Sequence, residues 1–231
     1  MYPYGYYGYS MGPEFLILIP AILFAMYAQT KIQTTFNKYL RVGSRTGYTG
    51  SQTARMILDR NGLYDIRIEH VGGKLSDHYD PRKKVLRLSN EVYNGTSLAA
   101  VGVAAHEVGH AIQHANGYFP LVLRNSIAPI ASFGSRFVWI LVILGFIISP
   151  FLLQVGILLY LAIVIFQIIT LPVEYNASSR ALSQLQNGII SSDEVGPTKK
   201  VLSAAALTYV AATLVAIAQL IRLLAISNRR D

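Results

Sequence analysis

The chain of 231 residues contains no cysteine, so disulfide stapling and thiolate metal ligation are both excluded, and any metal site must use His, Asp and Glu. Charge is scarce too. Only 14% of residues are Asp, Glu, Lys or Arg, against roughly 25% in ordinary soluble domains. The scarcity is regional: fourteen of the 20 Lys and Arg residues lie between Lys31 and Arg136, while long stretches elsewhere carry no charge. Twelve acidic residues leave a net charge of +8. The basic residues follow the flanks of apolar runs and do not interleave with aromatics, which argues against a nucleic-acid partner. No internal repeat of roughly 20–50 residues is present. What remains is a polar segment set between apolar ones, the pattern of a membrane protein.

Residues 2–9 form a low-complexity patch with five of the 15 tyrosines and no basic residue, so they lack the positive opening of a signal peptide; they read as an interfacial aromatic anchor or, in preference, a tail. From Phe15 to Ala28, extendable from Met11 to Gln29, runs a segment long enough to cross a bilayer. The run from Phe137 to Leu171 is too long for one crossing. Ser149-Pro150 and Gln154 interrupt it, so it is expected to form a transmembrane hairpin. A fourth segment, Val201 to Leu220, is punctuated by Ser203, Thr208, Tyr209, Thr213 and Gln219; it reads as a possible span or a buried amphipathic helix.

The polar insert, residues 30–132, reads as α+β. Ser51 to Arg60 has a helical pattern and stops at Asn61-Gly62. Asp65 to His70 and Lys84 to Ser89 alternate like strands and can pair, with a turn at Val71-Gly72-Gly73 after the first. Thr96 or Ser97 can cap a helix that runs through His106 and His110 to about Ala115, where Asn116-Gly117 ends it.

On that helix lies His106-Glu107-Val108-Gly109-His110, an H-E-x-x-H motif. A spacing of four residues puts both imidazoles on one face, a turn apart, so one Zn2+ ion can bridge them. Glu107 lies about 100° round the helix, beside the metal. In such sites the ion lowers the pKa of its water to near 7, and the carboxylate takes the proton. The helix is otherwise rich in Ala, Val and Gly, a setting in which two His and a Glu rarely occur without a use.

Two His leave a hydrolytic zinc site incomplete. His70, His78, His114, Asp77, Asp80 and Glu174 are the candidates for a third ligand. His114 stands one turn beyond His110, and three consecutive turns would have to bend round one ion, so a capping or solvent-facing role suits it better. Glu174 opens a segment with small residues at Ala177, Ser178 and Ala181, a smooth face able to press on another helix. In Asp77-His78-Tyr79-Asp80-Pro81, His78 or Tyr79 can donate to an oxyanion, or the segment is an ordinary polar turn between the strands. Arg180 can serve the same oxyanion or mark the membrane boundary.

HEVGHAIQ, preceded by residues 97–105 and by Asp77-His-Tyr-Asp-Pro81, resembles the YugP-type neutral zinc metallopeptidases of bacterial membranes, over about Thr46 to Ala206. The segment Glu174-x-x-Ala177-Ser178-x-x-Ala181 is similar to the E-x-x-A-D segment of the HtpX and CAAX-prenyl peptidase group. That resemblance implies Glu174 as third zinc ligand, with Ser178 standing where the group has Asp. The hairpin supports it, since a chain that leaves and returns brings Glu174 out on the side of the HEVGH helix.

The expected fold class is therefore a mostly α membrane protein, with about four transmembrane helices and a small α+β gluzincin-like zinc peptidase domain, forming one unit. Its parts are 11–29 (first span), 30–132 (soluble part), 137–171 (hairpin), 172–200 (third-ligand helix and loop) and 201–220 (possible fourth span). The expected activity is zinc-dependent hydrolysis of a peptide or membrane-protein substrate at the bilayer surface, with Glu107 as general base. An extended substrate would pair with Lys84 to Ser89 if that strand is an edge. A metal-bearing scaffold would need no Glu107, and a transporter would place charges well inside the spans.

Lys31, Lys38, Arg41, Arg45, Arg124, Arg136, Arg180, Lys199 and Lys200 gather near the spans on one side, against Arg222, Arg229 and Arg230 on the other if the fourth segment crosses. The positive-inside rule then puts the catalytic side in the cytoplasm. A cysteine introduced beside Lys38 is expected to resist impermeant maleimide in intact cells and react after lysis; labelling in intact cells would reverse the orientation.

Overall fold

The computed structural model describes residues 13–228. The tyrosine-rich residues 2–9, the extension of the first span to Met11, and Arg229 and Arg230 lie outside the described residues.

A 3-10 turn at Pro13–Ile17 leads into α1 (Leu18–Leu40), and α2 (Gly50–Arg60) follows. Strands β1 (Arg67–Val71), β2 (His78–Asp80) and β3 (Val85–Ser89) come next, then a short α3 (Asn90–Tyr93). Four longer helices complete the chain: α4 (Leu98–Ala115), α5 (Phe119–Ile147), α6 (Pro150–Gln186) and α7 (Ser192–Ser227). Four stretches are long and apolar enough to cross a membrane: Glu14–Leu40, Phe119–Ile147, Pro150–Gln186 and Ser192–Ser227. The protein is thus a mostly α membrane protein with a small α+β part.

Local chemistry sets these boundaries. Thr49 and Gln52 form a capping box at the start of α2, and Gly62 ends it at φ +72°. Ser97 accepts from Ala100 N at 3.1 Å to start α4, and Gly117 at φ +59° follows its end. Between α5 and α6 the chain turns at Ile148-Ser149; Ser149 Oγ accepts from Phe151 N at 3.3 Å, and Pro150 opens the helix. Gln154, expected to interrupt the run, instead stays inside α6 on its exposed side. The helix also continues through Pro172, so Glu174 belongs to the same element as the returning membrane segment.

The sheet order is β1-β3-β2, with β3 parallel to β1 and antiparallel to β2. The expected pairing of the two longer strands is present, but β3 is the central strand and not an edge. Val85, Leu86 and Leu88 are wholly buried, which a central strand requires. The edge beside α4 is β2, formed by His78, Tyr79 and Asp80 within the segment expected to turn.

Two cores meet along α6 and α7. One gathers α2, β3, α4 and the ends of α6 and α7 around Ile57, Leu88, Val108, Leu185 and Val201. The other holds α5, α6 and α7 together through Val142, Leu153, Val164 and Leu223. The polar residues that punctuate the fourth segment are accommodated within the bundle: Thr208 and Thr213 hydroxyls donate to Ala205 O and Tyr209 O on their own helix.

Candidate metal centre

α4 reaches α6 without a side chain between the two backbones. A Cβ at Gly109 would lie 2.5 Å from Ala177 O, so only glycine permits this approach. Ala177 and Ala181 are buried, as the smooth-face pattern of small residues anticipates.

This contact sets Glu174 opposite the two imidazoles. Its Oε2 lies 3.2 Å from His106 Nε2 and 3.5 Å from His110 Nε2, and all three donor atoms fall within 4.8 Å of one another. The edge of a tetrahedron with metal–ligand bonds of about 2.0–2.1 Å is roughly 3.4 Å, so the two carboxylate–imidazole separations already suit a tetrahedral ion. Glu174 is buried and the two histidines are largely so: the side chains of His106, His110 and Glu174 are 12%, 13% and 5% exposed.

The other ring nitrogens are also held. His110 Nδ1 lies 3.1 Å from Gln113 Oε1. Gln113 is wholly buried, and its Nε2 donates to Val173 O at 2.8 Å and Asn176 Oδ1 at 3.0 Å. Both amide protons are thereby engaged on α6, leaving only the oxygen for His110. Nδ1–H must therefore donate, and Nε2 presents a lone pair to the cluster. His106 Nδ1 lies 3.1 Å from Ser178 Oγ, so a neutral hydroxyl partners this ring.

Glu107 lines the cavity beside the cluster. Burial pushes its carboxyl up, and the charged forms of His106 and His110 pull it back only in part. His110 is raised as well: burial opposes its charged form, but Glu174 and Glu107 outweigh that effect. Two carboxylates beside two imidazoles make a site that favours positive charge.

The cleft runs to both sides of Glu107. A cavity of about 200 Å³ is lined by His78, Arg124, Asn125 and Glu174, and one of about 290 Å³ by apolar residues of α1, α4 and α7; both include Asp77, Glu107 and Tyr209.

The other expected residues are dispersed. His78 lines the smaller cavity with an exposed ring tied to Ser76 O at 2.8 Å. The Tyr79 hydroxyl pairs with His114 Nδ1 at 3.1 Å, which gives both residues a structural partner at the cleft rim. Asp77 accepts from Ser89 N and Oγ at 2.7 and 3.0 Å, Asp80 faces Arg87, and His70 packs edge-on to Tyr93. Arg180 does not enter the cleft; it donates to Asn176 Oδ1 at 2.7 Å and lies over the Tyr118 ring.

Sequence reasoning missed three residues. Arg124 donates to Glu174 Oε1 at 3.5 Å, Tyr209 lines both cavities, and Gln113 braces His110. Of these, only Gln113 carried a signal: an amide three residues after the second His of the motif, on an otherwise apolar helix.

The fold and this cluster define a membrane protein with the residues of a zinc metallopeptidase. The chain belongs to the family described as "putative neutral zinc metallopeptidase", whose model matches residues 14–228. It is 49% identical over 218 residues, covering 93% of this chain and 97% of the relative, to the "Putative membrane protease YugP" of Bacillus subtilis (strain 168). No solved structure matches.

Removing the Gln113 brace frees the His110 ring and its tautomer. Gln113→Met is expected to keep the fold and lower zinc affinity by about 10–100-fold in a chelator competition; unchanged affinity would show that the brace does not act on the metal.

Proposed function

We propose that the protein is a membrane-bound zinc endopeptidase acting at the bilayer surface, with His106, His110 and Glu174 as metal ligands. Family membership supports a protease role, and the convergence of three metal-ligating side chains beside Glu107 carries the finer assignment. A zinc ion held there supplies a Lewis acid and a water acidified to near neutrality.

The chain's own groups do the rest. Glu107 takes the proton of the attacking water on a carboxylate oxygen and passes it to the nitrogen of the leaving amine, a role that its raised pKa suits. Arg124 and Tyr209 line the same cavity and are the donors best placed to steady a developing oxyanion. His78 remains a further candidate from the rim, whereas Tyr79 and Arg180 already have other partners.

An extended substrate would add to β2, the sheet edge that lines the cleft, and β3 would lie behind it. On the other side of Glu107 the cavity between α1, α4 and α7 is walled by Phe36, Val103, Val201 and Leu202, which suits an apolar side chain. A peptide or membrane-protein segment close to the bilayer meets both requirements. The relative's membrane-protease name and the four apolar helices support a multi-pass protein of the bacterial cell membrane. The positive-inside distribution supports a cytoplasmic cleft.

Glu107→Gln separates chemistry from metal binding. In reconstituted protein offered a panel of membrane-protein and peptide substrates, the variant is expected to keep its zinc and lose about 10²–10⁴-fold in cleavage rate. Cleavage at the wild-type rate would remove Glu107 from the base role.

A further inference from the structure

We propose that the groove between α1 and α7, away from the cleft, binds the headgroup phosphate of an anionic phospholipid. The groove has a volume of about 750 Å³. Lys31 and Lys38, two turns apart on α1, face it from one wall, and Lys199 and Lys200 on α7 face it from the other. All four are exposed, and none forms an ion pair among the described residues. The acids at the start of α7 are engaged elsewhere: Asp193 pairs with Arg45 at 2.6 Å, and Glu194 accepts from Ser191 and Arg45 N. Four ammonium groups therefore share one groove without a carboxylate to balance them, and a bound anion relieves their mutual repulsion.

The lower part of the groove favours a lipid over a free anion. Its floor is Tyr39, Ala204 and Leu207, of which Tyr39 and Ala204 are buried. Thr35 and Ser203 line it with hydroxyls that make no hydrogen bond among the described residues. Lys31 follows closely on the uncharged stretch of α1, with Lys38 two turns further on, and Lys199 and Lys200 directly precede the uncharged stretch of α7, so the four charges gather at the same end of both apolar stretches. A phosphodiester satisfies the lysines and hydroxyls there, and its acyl chain continues along the apolar seam of the two spans.

Native mass spectrometry of the full-length protein in detergent tests this without recourse to peptidase activity. The arms are phosphatidylglycerol, phosphatidylcholine of the same acyl chains, inorganic phosphate and an acidic peptide. Phosphatidylglycerol is expected to bind on the order of tenfold more tightly than phosphatidylcholine, and Lys199→Gln/Lys200→Gln to remove most of that difference. Ser203→Trp, which fills the groove and leaves every charge in place, is expected to do the same. Lys74→Gln/Lys83→Gln, an equal loss of charge on the sheet side, is expected to change nothing. Equal binding of the two lipids, or phosphatidylglycerol binding unaffected by both groove variants, would overturn the proposal. Inorganic phosphate displacing the lipid at comparable concentration would make the groove a free-anion site, and an acidic peptide binding where the lipid does not would give it to a protein partner.

Discussion

Everything at the cleft depends on α4 and α6 touching backbone to backbone at Gly109 and Ala177. His106 and His110 ride on one helix and Glu174 on the other, 64 residues later, so their spacing is set by how closely the two axes can lie. A side chain at position 109 would meet the Ala177 carbonyl and push α6 outward, carrying Glu174 with it. The glycine inside the HEVGH motif is thus as much a part of the site as the histidines. Gln113 then ties the same two helices a turn further on, through Val173 O and Asn176, while its oxygen fixes His110. One amide couples helix packing to imidazole orientation, which is how a membrane bundle can hold a metal site rigid without a large soluble core.

The membrane segments contribute to the site in their own right. α6 is a single element from Pro150 to Gln186, so the returning span and the segment carrying Glu174 are one rod. α7 delivers Tyr209 together with Val201, Leu202, Ala205 and Thr208 to one cavity, and α5 delivers Arg124 to the other. The cleft is therefore roofed by the sheet edge and walled by helices long enough to enter the bilayer. That position matches a substrate presented from the membrane surface.

The motif helix was legible in the sequence because its signals are local: Ser97 to start it, Asn116-Gly117 to end it, and a four-residue spacing that needs only the helical repeat. The hairpin break at Ser149-Pro150 was legible for the same reason. Glu174 became readable through resemblance together with the return of the hairpin, and the structure brings it beside both histidines. Arg124 and Tyr209 were hidden because their partners are distant in the chain. One looked like a charge at a span boundary, the other like a polar interruption that weakened a span. Strand β2 escaped because three residues are too few to show a period, and its loss made β3 look like an edge. Val85 and Leu86, two adjacent apolar residues, were the clue that both faces of β3 are covered.

Ser178 gives the His106 ring a neutral partner. Its hydroxyl holds His106 at 3.1 Å without adding a further negative charge behind the ring. Zinc K-edge X-ray absorption on the purified full-length protein reads the ligand set itself. One zinc per chain is expected, bound by two imidazoles and a carboxylate oxygen, with loss of the carboxylate contribution in Glu174→Ala. A spectrum without two imidazoles, or one unchanged by Glu174→Ala at full zinc content, would contradict it.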